Sequence, residues 1–422
     1  MKKIITLLAV LCFFTHVNAQ IRVCVATQHE QWLQQQNPKR AEQRKAYEEL
    51  LTAFIKNAAT HKTTQTQNII QIPLVVHMVY HSASDSVSVA QILSQIKILN
   101  NDYTRQNADT VNTPAAFKSV AAAPMIKFCL AQRDPNGNAT TGIEYKKSTT
   151  VSWSSNDAVK SASTGGLNAW DPTRYFNIWV CDMQLSGLLA YAEYPTSTVS
   201  NNYGCVVTYN CFGDTLKAVA PYNKGRVATH EIAKCFNLID IWGTKSSPSC
   251  TDSDLCTDTP NQAGLTGGCP TFPVTDSCTT TAPGIMFMNF MDATNDTCMN
   301  MFTADQSLRM LAVLNTAPYN SLTTSNGCTP LASISTQNAT QGVSIYPNPS
   351  ADGKFIVDIK KDEHAVQHLS VYDVLGNKVF EIKNNMAAGT YDINLSNLSS
   401  GTYLVEIIKD NTALFNKIII NK

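Results

Sequence analysis

Apolar and polar positions divide the chain into three regimes. From Pro38 to His61, apolar residues recur at helical spacing through Ala41, Tyr47, Leu50, Leu51, Phe54 and Ile55 in a Gln-, Lys- and Glu-rich background. Ile72 to Tyr80 (IPLVVHMVY) is a β-rich run that predicts a buried strand. Ser88 to Asp102 predicts an amphipathic helix, and Ile126–Gln132 and Tyr175–Met183 predict further strands. Strands mixed with helices place residues 69–328 in the α/β (α+β) class. Residues 329–341 form a Ser/Thr/Asn-rich linker. After it the pattern turns to short alternating strands: Gly342–Tyr346, Lys354–Ile359, His368–Tyr372, Lys378–Ile382, Tyr391–Leu395, Thr402–Ile408 and Phe415–Ile420. Turn signals such as Asp352-Gly353 and Gly376-Asn377 separate them, which predicts a small all-β sandwich over 342–422.

Charge narrows the possible partners. The 422 residues carry 32 basic and 32 acidic side chains, a formal net charge of zero, so nothing points to nucleic acid or an anionic membrane surface. Lys2 and Lys3 precede a short apolar stretch, Ile4 to Phe14, and Val17-Asn18-Ala19 offers a small-residue cleavage site. Residues 1–19 therefore read as a secretory signal peptide. No later stretch approaches the roughly 20 apolar residues of a membrane helix, so no transmembrane anchor is expected. Residues 20–68 precede the first strong strand as an appendage, plausible as a pro-segment. Cys205, Cys211, Cys235, Cys250, Cys256, Cys269, Cys278 and Cys298 crowd into one region, which in an oxidising compartment reads as disulfides of open pairing.

The candidate chemistry lies in Ala228–Gly243. Two histidines four residues apart on a helix can grip one zinc, and a glutamate after the first can act as general base toward metal-bound water. Here those slots hold His230, Glu231 and Lys234, and the slot six residues further on holds Asp240. His77 and His81 share one face of the early strand and are a second pair that could complete an unconventional site.

The neighbourhood of His230 resembles the pappalysin family of metzincin peptidases. The matching residues are Ala220-Pro221-Tyr222-Asn223 with Gly225-Arg226, Ile241-Trp242-Gly243, Asp258-Thr259-Pro260, Gly268-Cys269-Pro270 and Met286–Asp292. The resemblance implies a secreted zinc endopeptidase fold with Glu231 as general base, His230 and Asp240 at zinc-ligand positions, and Met291 as the Met-turn methionine. It also implies bridges Cys250–Cys278 and Cys269–Cys298, a latency role for Cys24, and a structural calcium in the loop carrying Asp252, Asp254 and Asp258. Three departures bear on activity. Lys234 replaces the second zinc histidine, Asp240 replaces the third, and Ala293 stands where the family has a tyrosine that steadies the tetrahedral intermediate. A lysine near its reference pKa of about 10.4 is a cation and cannot ligate. The expectation is therefore an impaired or inactive peptidase homologue that binds a peptide or protein ligand; the alternative is an active zinc endopeptidase working at a degenerate site.

The tail resembles the C-terminal sorting domains of type IX secretion cargo of Bacteroidetes. It carries Tyr346-Pro347-Asn348-Pro349, Val371–Gly376, Leu398–Tyr403 and a lysine-bearing final strand. This implies export through that machinery to the medium or the cell surface.

Overall fold

In the computed structural model, residues 25–60, 69–245, 249–330, 342–360, 366–383, 386–409 and 412–422 are described. The signal stretch and Cys24 lie outside them.

Strand β1 (Ile70–Tyr80) is the axis of the first domain, and its residues from Ile72 to Val79 are all buried. Such a run forms where both faces of a sheet are covered. Along one edge it pairs in parallel first with β3 (Ile126–Leu130) and then with β4 (Ile143–Lys147). Along the other edge it pairs with β5 (Phe176–Cys181). Beyond β5 come parallel β7 (Gly204–Thr208) and antiparallel β6 (Ala190–Ala192), which closes the sheet. A separate short pair joins β2 (Ala121–Ala122) to β8 (Phe302–Thr303).

Among the described residues, five α-helices pack around the sheet: α1 (Ala26–Gln36), α2 (Arg40–Thr60), α3 (Val89–Asp102), α4 (Arg226–Cys235) and α5 (Ala304–Asn315). Ser88 caps α3 by accepting from Gln91 N at 3.2 Å, and Ile92, Ile96 and Leu99 turn into the core. Thr303 and Gln306 form a capping box that starts α5.

Two expectations are corrected. The N-terminal arm is not an appendage in packing terms, because Tyr47 and Leu51 of α2 are fully buried in the main core. The cysteine-rich region is not uniformly bridged either. Disulfides join Cys129–Cys328, Cys250–Cys278 and Cys269–Cys298, whereas Cys181, Cys205, Cys235 and Cys256 are buried thiols. Cys181, Cys205 and Cys235, inside sheet and helix, pack as small apolar side chains.

The tail is all β. A three-stranded sheet, β13 (Gly389–Asn394), β10 (Lys354–Ile359) and β9 (Val343–Tyr346), faces a four-stranded one. The latter holds β12 (Lys378–Ile382), β11 (Val366–Tyr372), β14 (Gly401–Lys409) and β15 (Thr412–Ile420). Alternate residues such as Phe355, Val357, Val405 and Ile407 meet in a core of their own.

Candidate functional site

Helix α4 is set in place from both ends. Gly225 opens it at φ +69°, and a Cβ there would sit 2.8–2.9 Å from the Gln95 amide and the Ile98 methyl group of α3, so the close approach needs glycine. Asp296 accepts the Lys224 and Arg226 amides at 2.8 and 3.2 Å, filling the positive end of the helix. Arg226 in turn reaches Asp102 and Asp109, each at 3.0 Å, and the Thr229 hydroxyl donates to Asp102 at 2.7 Å. Burial pushes the Asp102 carboxyl up to about 7 despite these partners.

The other end closes on Asn237, left-handed at φ +66°, a conformation asparagine tolerates. Its side chain is clamped by α2: Arg44 donates to its carbonyl oxygen at 2.8 Å, and its amide donates to Glu48 at 2.7 Å. Glu48 also takes Arg309 of α5 at 2.9 Å.

Along α4 every residue is buried. His230 Nδ1 donates to the Phe290 carbonyl at 2.7 Å, so its Nε2 is the nitrogen that looks inward. That nitrogen lies 3.1 Å from Asp240 Oδ1, and Lys234 Nζ lies 2.9 Å from the same oxygen. Burial alone would raise the Asp240 carboxyl, but the Lys234 ammonium and His230 outweigh it and hold it well below the usual carboxylate range. Glu231 is buried beside them, its Oε2 without a hydrogen-bond partner among the described residues.

Beneath the helix, Ile241 N donates to the Met291 carbonyl at 3.1 Å, tying the Asp240 loop to the turn that carries Met291. Asn289 accepts Met291 N at 2.8 Å and shapes that turn. Asp292 is pushed up to about 6 by burial, although it accepts from Thr266, Gln262 and Ala293. Ala293 is buried and offers only a methyl group.

The structure thus gathers His230, Glu231, Lys234, Asp240, Met291 and Ala293 and leaves other candidates elsewhere. His77 is committed to Glu144 at 2.7 Å and Asn177 at 2.9 Å, while the His81 backbone N–H donates to Asp85. Asp252 accepts backbone amides of Thr244 and Lys245, Asp254 the Thr259 hydroxyl, and Asp258 the Thr303 hydroxyl. Sequence reading missed Asp102, Thr229, Arg44 and Glu48 as supports of α4. Polar residues inside otherwise apolar helical stretches were the available signal, at Asp102 and Thr229.

Comparison with known proteins places this geometry. A model of the pregnancy-associated plasma protein-A family matches residues 161–315, and one of the secretion system C-terminal sorting domain matches 344–421. An extracellular metalloprotease of Neurospora crassa is 33% identical over 226 residues, covering 49% of this chain and 75% of that protein. The chain belongs to the pappalysin family. An extracellular metalloprotease of Arthroderma benhamiae is 26% identical over 275 residues, covering 63% of this chain and 84% of that protein. Mature mirolysin of Tannerella forsythia, in complex with a cleaved peptide, is 47% identical with a TM-score of 0.59. It covers 61% of this chain and 96% of the mirolysin chain. A promirolysin variant from the same organism is 41% identical with a TM-score of 0.63, covering 72% and 97%. The sorting-domain match and the extracellular relatives make this pappalysin a secreted or cell-surface protein. No helix among the described residues is long and apolar enough to cross a membrane.

Zinc is expected for pappalysins, but these residues do not fit it. A catalytic zinc takes three protein ligands with lone pairs and keeps one position open. Lysine as ammonium has three donors and no acceptor, and here it lies within the donor set on Asp240 Oδ1. No group of three or more His, Cys, Asp or Glu side chains able to hold a metal gathers among the described residues.

Proposed function

We propose that this protein is a secreted pappalysin that does not hydrolyse peptides, because a fixed cation, Lys234, sits where the family holds its dication. The observation that carries this reading is Lys234 Nζ at 2.9 Å from Asp240 Oδ1, with His230 Nε2 at 3.1 Å from the same oxygen. A dication brought there would meet an ammonium, and without it Glu231 has no metal-bound water to deprotonate. Ala293 removes a further group, since a methyl cannot donate to an oxyanion.

What remains is a peptidase-shaped protein delivered outside the cell by its sorting domain, whose ligand is a peptide or protein. A cleaved peptide held by mirolysin supports that ligand class. Residues 20–68 correspond to a pro-segment, a reading supported by the larger coverage of promirolysin, 72%, than of mature mirolysin, 61%.

Elemental analysis of the purified protein beside a Lys234→His/Asp240→His variant tests the reading, with peptide cleavage followed with and without chelator. The expected result is no stoichiometric zinc and no chelator-sensitive cleavage in the natural protein, and zinc gained in the variant. Stoichiometric zinc lost on His230→Ala would sink the proposal and favour an active degenerate site. A variant that gains zinc without activity directs the next substitution to Ala293→Tyr.

A further inference from the structure

Helix α3 carries two apolar stripes. Ile92, Ile96 and Leu99 face the core of the first domain, as an amphipathic helix requires. Val89 and Leu93, four residues apart on another face, are also buried, at 3% and 7% exposed. What covers them is the sorting domain. Tyr372, Leu404 and Phe415 close over Val89 and Leu93, with Ala90, Leu130 and Ile143 at the margin.

Polar and backbone features fix the same contact. One turn beyond Leu93, the Lys97 ammonium donates to the Asn377 side-chain oxygen. Gly376, at φ +80°, lies so close to α3 that a Cβ would come within 2.9 Å of both the Leu93 Cβ and its carbonyl oxygen. Tyr372, Gly376 and Asn377 belong to, or adjoin, the Val371–Gly376 motif that marks the tail as a sorting domain. The tip of that turn, Val374 and Leu375, is exposed.

We propose that the Val89–Leu93 face of α3 is a docking site for this chain's own sorting domain, occupied only while the linker joins the two. The contact is small. Burying a few apolar side chains favours the contact, but so small a patch offsets only part of the entropy lost when two free bodies come together. Residues 331–341 tether the domains. A short tether holds the partner at an effective concentration of the order of millimolar, which populates an interface too weak to form between separate molecules. Cutting the linker therefore releases the sorting domain and uncovers an apolar stripe on α3.

Small-angle X-ray scattering of the full chain tests the docking. The natural protein gives a compact two-domain profile, and Leu93→Glu gives a larger maximum dimension with unchanged circular dichroism. If Leu93→Glu fails to fold, Gly376→Val, which acts from the other side of the contact, supplies the same readout. A protease site placed within 331–341 then tests the tether. After cutting, gel filtration at about 10 µM separates the two pieces, as an interface with a Kd well above that concentration requires. Scattering that is already extended in the natural chain overturns the proposal, as does a dimer mass with the α3 face shared between copies. Pieces that co-elute after cutting overturn the dependence on the linker.

Discussion

The two ends of α4 bury aspartates in opposite electrical states. At the N-terminal end Asp102 is pushed up to about 7 by desolvation, though Arg226 lies 3.0 Å away and Thr229 donates to it. At the C-terminal end Asp240 is held well below the usual carboxylate range, although it too is buried. Arg226 is shared between Asp102 and Asp109, and both Asp109 and Asp296 add negative charge near Asp102. Lys234 and His230 instead converge on one oxygen of Asp240. The helix field acts on the cation and not on the two carboxylates' contrast, since the negative end of α4 favours the Lys234 ammonium in its last turn. A single shared cation does not offset burial of a carboxylate, whereas the Lys234 ammonium and His230 against one oxygen do.

The contrast can be broken most forcefully at Lys234. Lys234→Met keeps the stem and removes the charge, leaving Asp240 buried without its ammonium. We expect a loss of about 3–5 kcal/mol in unfolding free energy by urea denaturation. A loss below about 1 kcal/mol, the range of exposed pairs, would show that the ion pair does not hold the site.

Asp102 sharpens the comparison through pH. Its folded value, about 7, lies above the ordinary 3.8, so the native state keeps a proton that the unfolded chain has released. Its stabilising contribution is complete below about pH 4 and is lost as pH rises toward 7. Asp102→Asn should therefore remove up to about 1.4 kcal/mol per pH unit of downward slope in stability across that window. Parallel slopes for the two proteins would refute the raised value.

Thr229→Val gives the smallest effect. Deleting the hydroxyl that donates to Asp102 at 2.7 Å should cost about 1 kcal/mol and move the same pH window upward, because that bond favours the charged form. An unchanged window in the denaturation series would show that Arg226 alone sets the carboxylate.

Local signals were legible in the sequence and long-range ones were not. The tail strands fall close to their expected limits because period-2 alternation and turn residues are read over a few positions. Ser88 marked the start of α3 for the same reason. The sheet order was not legible, since β3 and β4 share one edge of β1 through connections that no local pattern encodes. Lys234 and Asp240 stood out by their positions relative to His230, but that one oxygen of Asp240 takes both neighbours follows from how the loop after Asn237 is folded. The clamp of Arg44 and Glu48 on Asn237 joins residues nearly two hundred positions apart, and in sequence those side chains look like any solvated helix face.

The bridge between Cys129 and Cys328 has a mechanical consequence for any load applied through the tail. Cys328 lies just ahead of the linker, and its partner sits in β3, paired in parallel with the central strand. Tension applied through the sorting domain thus arrives at a covalent staple in the sheet instead of peeling α5 away turn by turn. A load along β3 shears several ladder hydrogen bonds at once, so a pull on the tail does not unravel the first domain residue by residue from its C-terminal end.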